Sequence, residues 1–228
     1  MADWDPTDAS VVVAGATGGL GSRIAALLAD AGAKVTLVSR SAERLDELDV
    51  EGHRVEADLT LPGEAARALD EAVETHGGLD AVVNATGVVA FGDVASLETD
   101  TLEQLFLVNT FLPVMLTQAA LDRFGDDGGL LVNISGVIAA QPMPQMAAYS
   151  ASKGALAAFA TALRKETRKA GVEVLDVQPP HTETELSRHP IAGEAPTLPD
   201  GASPDDVAQR IVTAMREGER HVSADGFQ

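Results

Sequence analysis

In the stretch Tyr149-Ser150-Ala151-Ser152-Lys153 a phenol and an ammonium stand four residues apart, inside a run whose small and apolar residues predict a helix. On a helix two such side chains share one face. A free tyrosine titrates near about 10, too high to trade protons readily at neutral pH, but a neighbouring cation favours its phenolate. Lys153 supplies that cation, so the pair is a candidate general acid/base. Taken alone, the same spacing also describes a surface tyrosine that happens to precede a lysine. The rest of the chain has to separate the two.

The elements before the pair describe a nucleotide site. Ser10 to Ala14 is a short β-branched apolar run that predicts a buried strand. It breaks into Gly15-Ala16-Thr17-Gly18-Gly19-Leu20-Gly21, after which Ile24, Ala25, Leu27 and Leu28 recur at helical spacing. Strand, glycine turn and helix in that order suit a pyrophosphate, because the turn lets the backbone approach and the helix start offers N–H groups and a favourable dipole. A second strand, Lys34 to Val38, ends in Ser39-Arg40-Ser41, where such sites choose between cofactors. An acidic residue there would bind a ribose 2′-hydroxyl. Ser39 and Arg40 instead suit a 2′-phosphate, so NADP(H) is expected over NAD(H). The alternative for Arg40 is a helix-start surface residue paired with Glu43 or Glu47. After a polar helix near 41–48, His53 to Ala57 predicts a third strand that delivers Asp58-Leu59. Asp58 is placed to meet an adenine ring or to cap the next helix. That helix covers about 62–76, and Leu79 to Val83 forms a fourth strand closed by Asn84-Ala85-Thr86-Gly87.

Composition narrows the classes. The 228 residues fit one domain over 1–228 and carry 35 acidic against 16 basic side chains, a net charge of −19. Such a field opposes nucleic acid and anionic membrane. No charged start leads into an apolar run, and no uninterrupted apolar stretch approaches membrane-spanning length, so a soluble cytoplasmic protein is expected. The lack of cysteine excludes disulfides and thiolate chemistry. Only Lys34, Lys153, Lys165 and Lys169 represent lysine, and the acidic excess is spread along the chain. That distribution resembles proteins of salt-rich cytoplasm. A carboxylate surface of this density repels itself until salt screens it, so the melting temperature should rise from low to molar KCl; a flat response would exclude halophilic adaptation.

Together the glycine turn at 15–21, Asp58, Asn84-Ala85-Thr86-Gly87, Asn109 and the Tyr149/Lys153 pair resemble the short-chain dehydrogenase/reductase family over almost the whole chain. The resemblance implies a doubly wound parallel sheet of six or seven strands with helices on both faces, a three-layer Rossmann-like fold. It implies hydride transfer between nicotinamide and a small-molecule carbonyl or alcohol. Tyr149 would act as general acid/base and Lys153 would lower its pKa and bind the nicotinamide ribose. Asn84 would stabilise the central strand. Asn109 would widen its helix locally and hold a water that links Lys153 to solvent. No metal is required.

The second half departs from the family in places. Leu130 to Ile134 predicts a fifth strand that delivers Ser135-Gly136 to its carboxyl end. The family sets its catalytic serine thirteen residues before the tyrosine, and here that position is Gly136. Either the loop with Pro142 and Pro144 has gained a residue and Ser135 serves, or the hydroxyl is missing. Val172 to Val177 predicts a sixth strand followed by Gln178-Pro179-Pro180-His181-Thr182-Glu183-Thr184, in which Pro180 replaces the family's glycine. By that match Pro179, Thr182 and Thr184 would border the nicotinamide. Residues 181–202 should form a substrate lid, and Val88, Val89, Phe91, Met143 and Met146 suggest an apolar pocket. Ser203-Pro204-Asp205-Asp206 is a strong helix start. Small residues in the helix after Tyr149, Ala151, Gly154, Ala155, Ala157, Ala158 and Ala160, would build a homodimer or homotetramer by resemblance; the short ending near Gln228 weakens the tetramer. The rival expectation is an NADP(H)-binding sensor or partner-binding protein in which Gly136 has cost turnover. Dehydration or epimerisation is a third possibility.

Overall fold

The computed structural model describes residues 4–126, 128–197 and 200–227. Leu198 and Pro199 of the expected lid, and Gln228, lie outside them.

Seven parallel strands form one sheet in the order β3-β2-β1-β4-β5-β6-β7. They are β1 (Ser10–Ala14), β2 (Lys34–Ser39), β3 (His53–Glu56), β4 (Ala81–Asn84), β5 (Gly129–Ile134), β6 (Val172–Val177) and β7 (His221–Val222). The seventh strand settles the choice between six and seven. The strands read as apolar runs because both faces are covered. Val11 and Val13 pack with Val35, Leu37, Ile24, Leu28 and Ile211, whereas Val12 and Ala14 pack with Val38, Leu69, Leu116 and Leu163 on the other face. Alternation along β1 thus sends successive valines into two separate cores.

The helices supply those cores. They are α1 (Gly19–Asp30), α2 (Ala42–Asp46), α3 (Glu64–His76), α4 (Thr99–Phe106), α5 (Leu112–Leu121), α6 (Ala147–Glu166) and α7 (Pro204–Arg216). Helix α2 is shorter than its pattern suggests, with Ser41 as its cap accepting from the Arg44 amide. Helix α7 begins as read, since Ser203 accepts from Asp206 N at 3.4 Å and Pro204 follows. Between α4 and α5 the chain stays helical through one π turn, Leu107–Phe111. The continuous segment Thr99–Leu121 is long and apolar enough to cross a membrane by length and composition alone. In this fold Leu105, Val108, Leu112, Leu116 and Ala120 are buried against the protein.

Sheet order reverses between β1 and β4, whose register pairs Ala14 with Asn84. Ligands in open parallel sheets gather outside the carboxyl ends at such a reversal. The glycine turn, Asn84, Ser135 and Tyr149 all belong to that end.

Candidate active site

The glycine turn is built for close backbone approach. Gly15 has φ +79°, and a Cβ there would meet the Ala85 carbonyl and the Thr86 nitrogen at 3.0 Å. A Cβ on Gly21 would collide with the Gly15 carbonyl oxygen, and one on Gly19 would come within 2.8 Å of the Thr184 side chain. Helix α1 begins at Gly19, with Gly18 as an N-cap that offers no side-chain hydrogen bond. Its first amides therefore lack partners and face a space walled by glycine. This uncapped cradle fits a pyrophosphate. Leu20, within the first turn, packs its side chain on the core cluster that includes Ile24.

At the end of β2, Thr17 and Ser39 share a hydroxyl hydrogen bond of 2.8 Å. Arg40 is exposed and forms no ion pair or hydrogen bond among the described residues, so neither Glu43 nor Glu47 holds it. Arg44 was not singled out by the sequence, yet its guanidinium donates to the Thr17 carbonyl at 2.8 Å. Its spacing of four from Arg40 was the available signal. Asp58 Oδ1 accepts from the Thr60 amide at 3.0 Å and its hydroxyl at 2.6 Å. It closes a local turn rather than capping α3, which begins after Gly63. Leu59 beside it is buried.

Asn84 ties the central strands together. Its amide donates to Asn133 Oδ1 at 3.3 Å, and its own Oδ1 accepts from Thr86 Oγ1 at 2.6 Å. Asn109 lies in the π turn, fully buried. Its Oδ1 accepts from Val88 N at 3.0 Å, while its Nδ2 donates to Val88 O at 2.9 Å and to Ser152 Oγ at 3.1 Å. Both N–H donors and one lone pair of the amide are thus used on one loop and on α6, which explains how a buried asparagine is tolerated. Ser152, also missed from the sequence, passes the link on by donating to the Tyr149 carbonyl at 2.8 Å.

Tyr149 and Lys153 are both buried, at 9% and 5% exposure. Lys153 Nζ donates to the Ile134 carbonyl at 2.9 Å. A Cβ on Gly87 would sit 3.4 Å from that Nζ and 3.5 Å from Asn109 Oδ1, so ammonium, amide and the Asn84–Gly87 turn meet at one point. Burial pushes Tyr149 up to about 12 and Lys153 down to about 8, the latter opposed by Asp176. For both groups the largest cause is desolvation, which disfavours the charged form.

The spacing leaves both Ser135 and an empty Gly136 open for the serine position. The Ser135 hydroxyl is fully buried and donates to Asp176 Oδ1 at 2.6 Å, with the Val177 carbonyl 3.5 Å away. It is turned into the sheet between β5 and β6. Gly136 follows with φ +81° and ψ 158°, and a Cβ there would meet nothing within 4 Å. The open side of this loop therefore carries no hydroxyl.

Pro179 accepts from Val137 N at 2.9 Å, and Thr182 donates to the Pro180 carbonyl at 2.9 Å. Thr184 leans on Gly19, which brings this loop to the start of α1. The 181–202 segment is pinned by bridges from Thr182 to Ala202 and from Ala192 to Ala90. His181 lies 3.5 Å from Glu183, and His189 lies 3.0 Å from Glu185. A cavity of about 370 Å³ lies between the loop after β4, the start of α4 and the start of α6, with Phe91, Leu105 and Met146 among its lining. Of the apolar pocket read from sequence, Val89 is instead core, Val88 is half-buried and Met143 is exposed.

The short chain dehydrogenase family pattern matches residues 9–194. The chain belongs to the short-chain dehydrogenases. This short-chain dehydrogenase is 32% identical to the dehydrogenase/reductase SDR family member 7B of Bos taurus, over 94% of its own length and 73% of the relative's. It is 30% identical to an uncharacterized oxidoreductase of Staphylococcus aureus (strain USA300), over 95% and 94% of the two chains. Among solved structures it resembles a short chain dehydrogenase from Burkholderia cenocepacia in complex with NADP, at TM-score 0.83 and 26% identity over 99% and 100% of the chains. The fold also matches a 3-ketoacyl-(acyl-carrier-protein) reductase from Brucella melitensis complexed with NADH, at TM-score 0.85 and 21% identity over 95% and 96%. As a short-chain dehydrogenase the protein is an oxidoreductase with a nucleotide-cofactor fold.

Proposed function

We propose that the protein interconverts a carbonyl and an alcohol on a small molecule using NADP(H), with Tyr149 as general acid/base. The observation that carries this reading is the buried Tyr149/Lys153 pair on α6, whose ammonium meets Asn109 and the Asn84–Gly87 turn at the sheet reversal. The cofactor, when bound, supplies or accepts the hydride. Gly15, Gly18, Gly19 and Gly21 admit its phosphates, and Thr182 and Thr184 border the nicotinamide end. Asp58 and Leu59 flank the adenine end. Tyr149 carries the proton for the reduction, and its buried phenol, raised to about 12 in the protein alone, needs the charge of Lys153 on the forming phenolate to release it. Lys153 holds a ribose and lends charge to the phenolate that forms, and Asn109 positions α6 for that proton transfer.

Support for NADP(H) comes from Ser39, the unpaired Arg40 and the NADP-bound Burkholderia relative. Arg40→Ala should weaken NADPH binding by about 10- to 100-fold, as expected for losing one or two charge-assisted hydrogen bonds, and should leave NADH nearly unchanged. Fluorescence titration of both cofactors checks this, and tighter NADH than NADPH in the parent would reverse the assignment.

The same reading takes the protein as a cytoplasmic homodimer or homotetramer that binds neither nucleic acid nor membrane. Exposed Leu102, Leu107 and Phe111 on the Thr99–Leu121 helix, with Ala151 and Ala158 on α6, offer the apolar faces for association. The dispersed charge of −19 is read as adaptation to salt. One observation favours a second reading: with Ser135 turned inward and glycine at 136, a cofactor sensor of low turnover is consistent with the same site. Tight NADPH binding with no consumption across a panel of ketones, aldehydes and alcohols would select it.

A further inference from the structure

The cavity of about 370 Å³ has the size of a small-molecule pocket and abuts the packing around Tyr149. Phe91, Leu105 and Met146 line it and belong to one cluster with the Tyr149 ring. Ala147 and Ala148 carry its wall to the residue before the tyrosine. Backbone hydrogen bonds hold the walls in place. Phe91 N donates to Ala192 O at 3.0 Å, Ile191 N to Val89 O at 2.8 Å and Gly92 N to Gln145 O at 2.8 Å. The loop after β4, the 181–202 segment and the approach to α6 are thereby stitched around one space that stands open before any ligand arrives.

The charged lining is of one sign. Asp93 and Glu98 are exposed, and neither carboxylate makes a hydrogen bond or ion pair among the described residues. No lysine, arginine or histidine lines the cavity. The first turns of α4 and α6 line it too, but a helix start is worth about half a positive charge, and two of them do not cancel two carboxylates. Gln145, four positions before Tyr149, is held at φ +63°, a left-handed backbone that is costly for a residue with a side chain. Its side-chain amide makes no hydrogen bond among the described residues. A strained residue with an idle amide, on the wall of a preformed cavity, points to contact with a ligand.

We infer that this cavity takes the body of an uncharged carbonyl substrate, an apolar ring or chain bearing a neutral hydrogen-bonding group, and that Gln145 is the specificity-determining residue that reads that group. Phe91, Leu105 and Met146 supply the apolar contact. The Gln145 amide both donates and accepts, so it matches an amide, an ester or a hydroxyl. A carboxylate- or phosphate-bearing substrate would meet two like charges with no cation to offset them, and that repulsion selects against it.

This inference rests on the carbonyl–alcohol reading and names the substrate class of its site, but its test reads binding apart from turnover. Met146 is one of five methionines, and loss of one methyl signal in Met146→Leu assigns its NMR resonance. That signal follows the binding of three probes of similar shape, para-acetylbenzamide, para-acetylbenzoate and para-isopropylacetophenone, with no cofactor added so that nothing is consumed. The benzamide should bind about tenfold more tightly than the benzoate at low salt, and the gap should narrow to within about threefold when Asp93→Asn and Glu98→Gln are combined. It should also bind about fivefold more tightly than the isopropyl ketone, the worth of one neutral hydrogen bond. Gln145→Gly should erase that second gap while raising the melting temperature by about 2–4 °C, because glycine enters this backbone region freely. A residue kept only for structure would not lose ligand discrimination as the fold gained stability. Benzoate bound as tightly as benzamide, an amide preference that survives Gln145→Gly, or no Met146 shift with any probe overturns the inference. The expected order of binding, together with NADPH-dependent reduction of the benzamide that survives Tyr149→Phe, would keep the subsite and refute the proposed acid/base role.

Discussion

Tyr149→Phe is expected to cut turnover by about 10²- to 10⁴-fold, the usual worth of a positioned acid or base, and to leave NADPH binding largely intact. The ring packs with Phe91, Leu105, Ile138 and Met146, and phenylalanine keeps all of that packing. Only the hydroxyl is lost. Stability should therefore change little, so a loss of rate cannot be blamed on the fold. Because Tyr149 is the one tyrosine in the chain, the same substitution removes every tyrosine signal from the absorption spectrum and verifies itself. NADPH consumption over a panel of ketones and aldehydes, beside a binding titration, makes the measurement. Parent-like turnover in the variant would move the acid/base role elsewhere.

The second large effect concerns the pair at the end of β5. Ser135→Ala should cost about 1–3 kcal/mol of stability, since it removes a donor from a buried carboxylate, and should change turnover by less than about threefold because the hydroxyl faces away from the cleft. Gly136→Ser should act on turnover as well as on stability. It places a hydroxyl on the open side of the loop, where a donor to a developing oxyanion is commonly worth about 10²- to 10³-fold in rate. Its backbone, at φ +81° and ψ 158°, lies in a region only glycine enters freely, so a cost of about 1–3 kcal/mol in stability accompanies the gain. Melting curves and initial rates on one preparation report both. A hundredfold loss in Ser135→Ala with no gain in Gly136→Ser would return the serine role to Ser135.

These expectations show where sequence and structure divide the labour. The order strand, glycine turn, helix at 10–28 was legible because glycine and β-branched residues act locally, and the observed β1 and α1 match it. Six of the seven parallel strands follow from apolar runs alternating with helical periods, whereas the two-residue β7, His221–Val222, carries no such run. Asn109 could be marked as an oddity inside a helix, and its π turn is the backbone answer to that oddity.

What the sequence by itself determined is the set of groups that must gather at the carboxyl ends of the strands: the glycine turn, Asn84, Asn109, Tyr149 and Lys153. Only the tertiary structure decided which way each group faces and what shares its burial. Two adjacent residues on a strand point to opposite sides, so nothing local distinguishes Ser135 in the cleft from Ser135 on Asp176, forty-one positions away. The pKa directions of Tyr149 and Lys153 likewise depend on how completely the fold removes water from them. Spacing along a helix sets proximity; desolvation belongs to the assembled core.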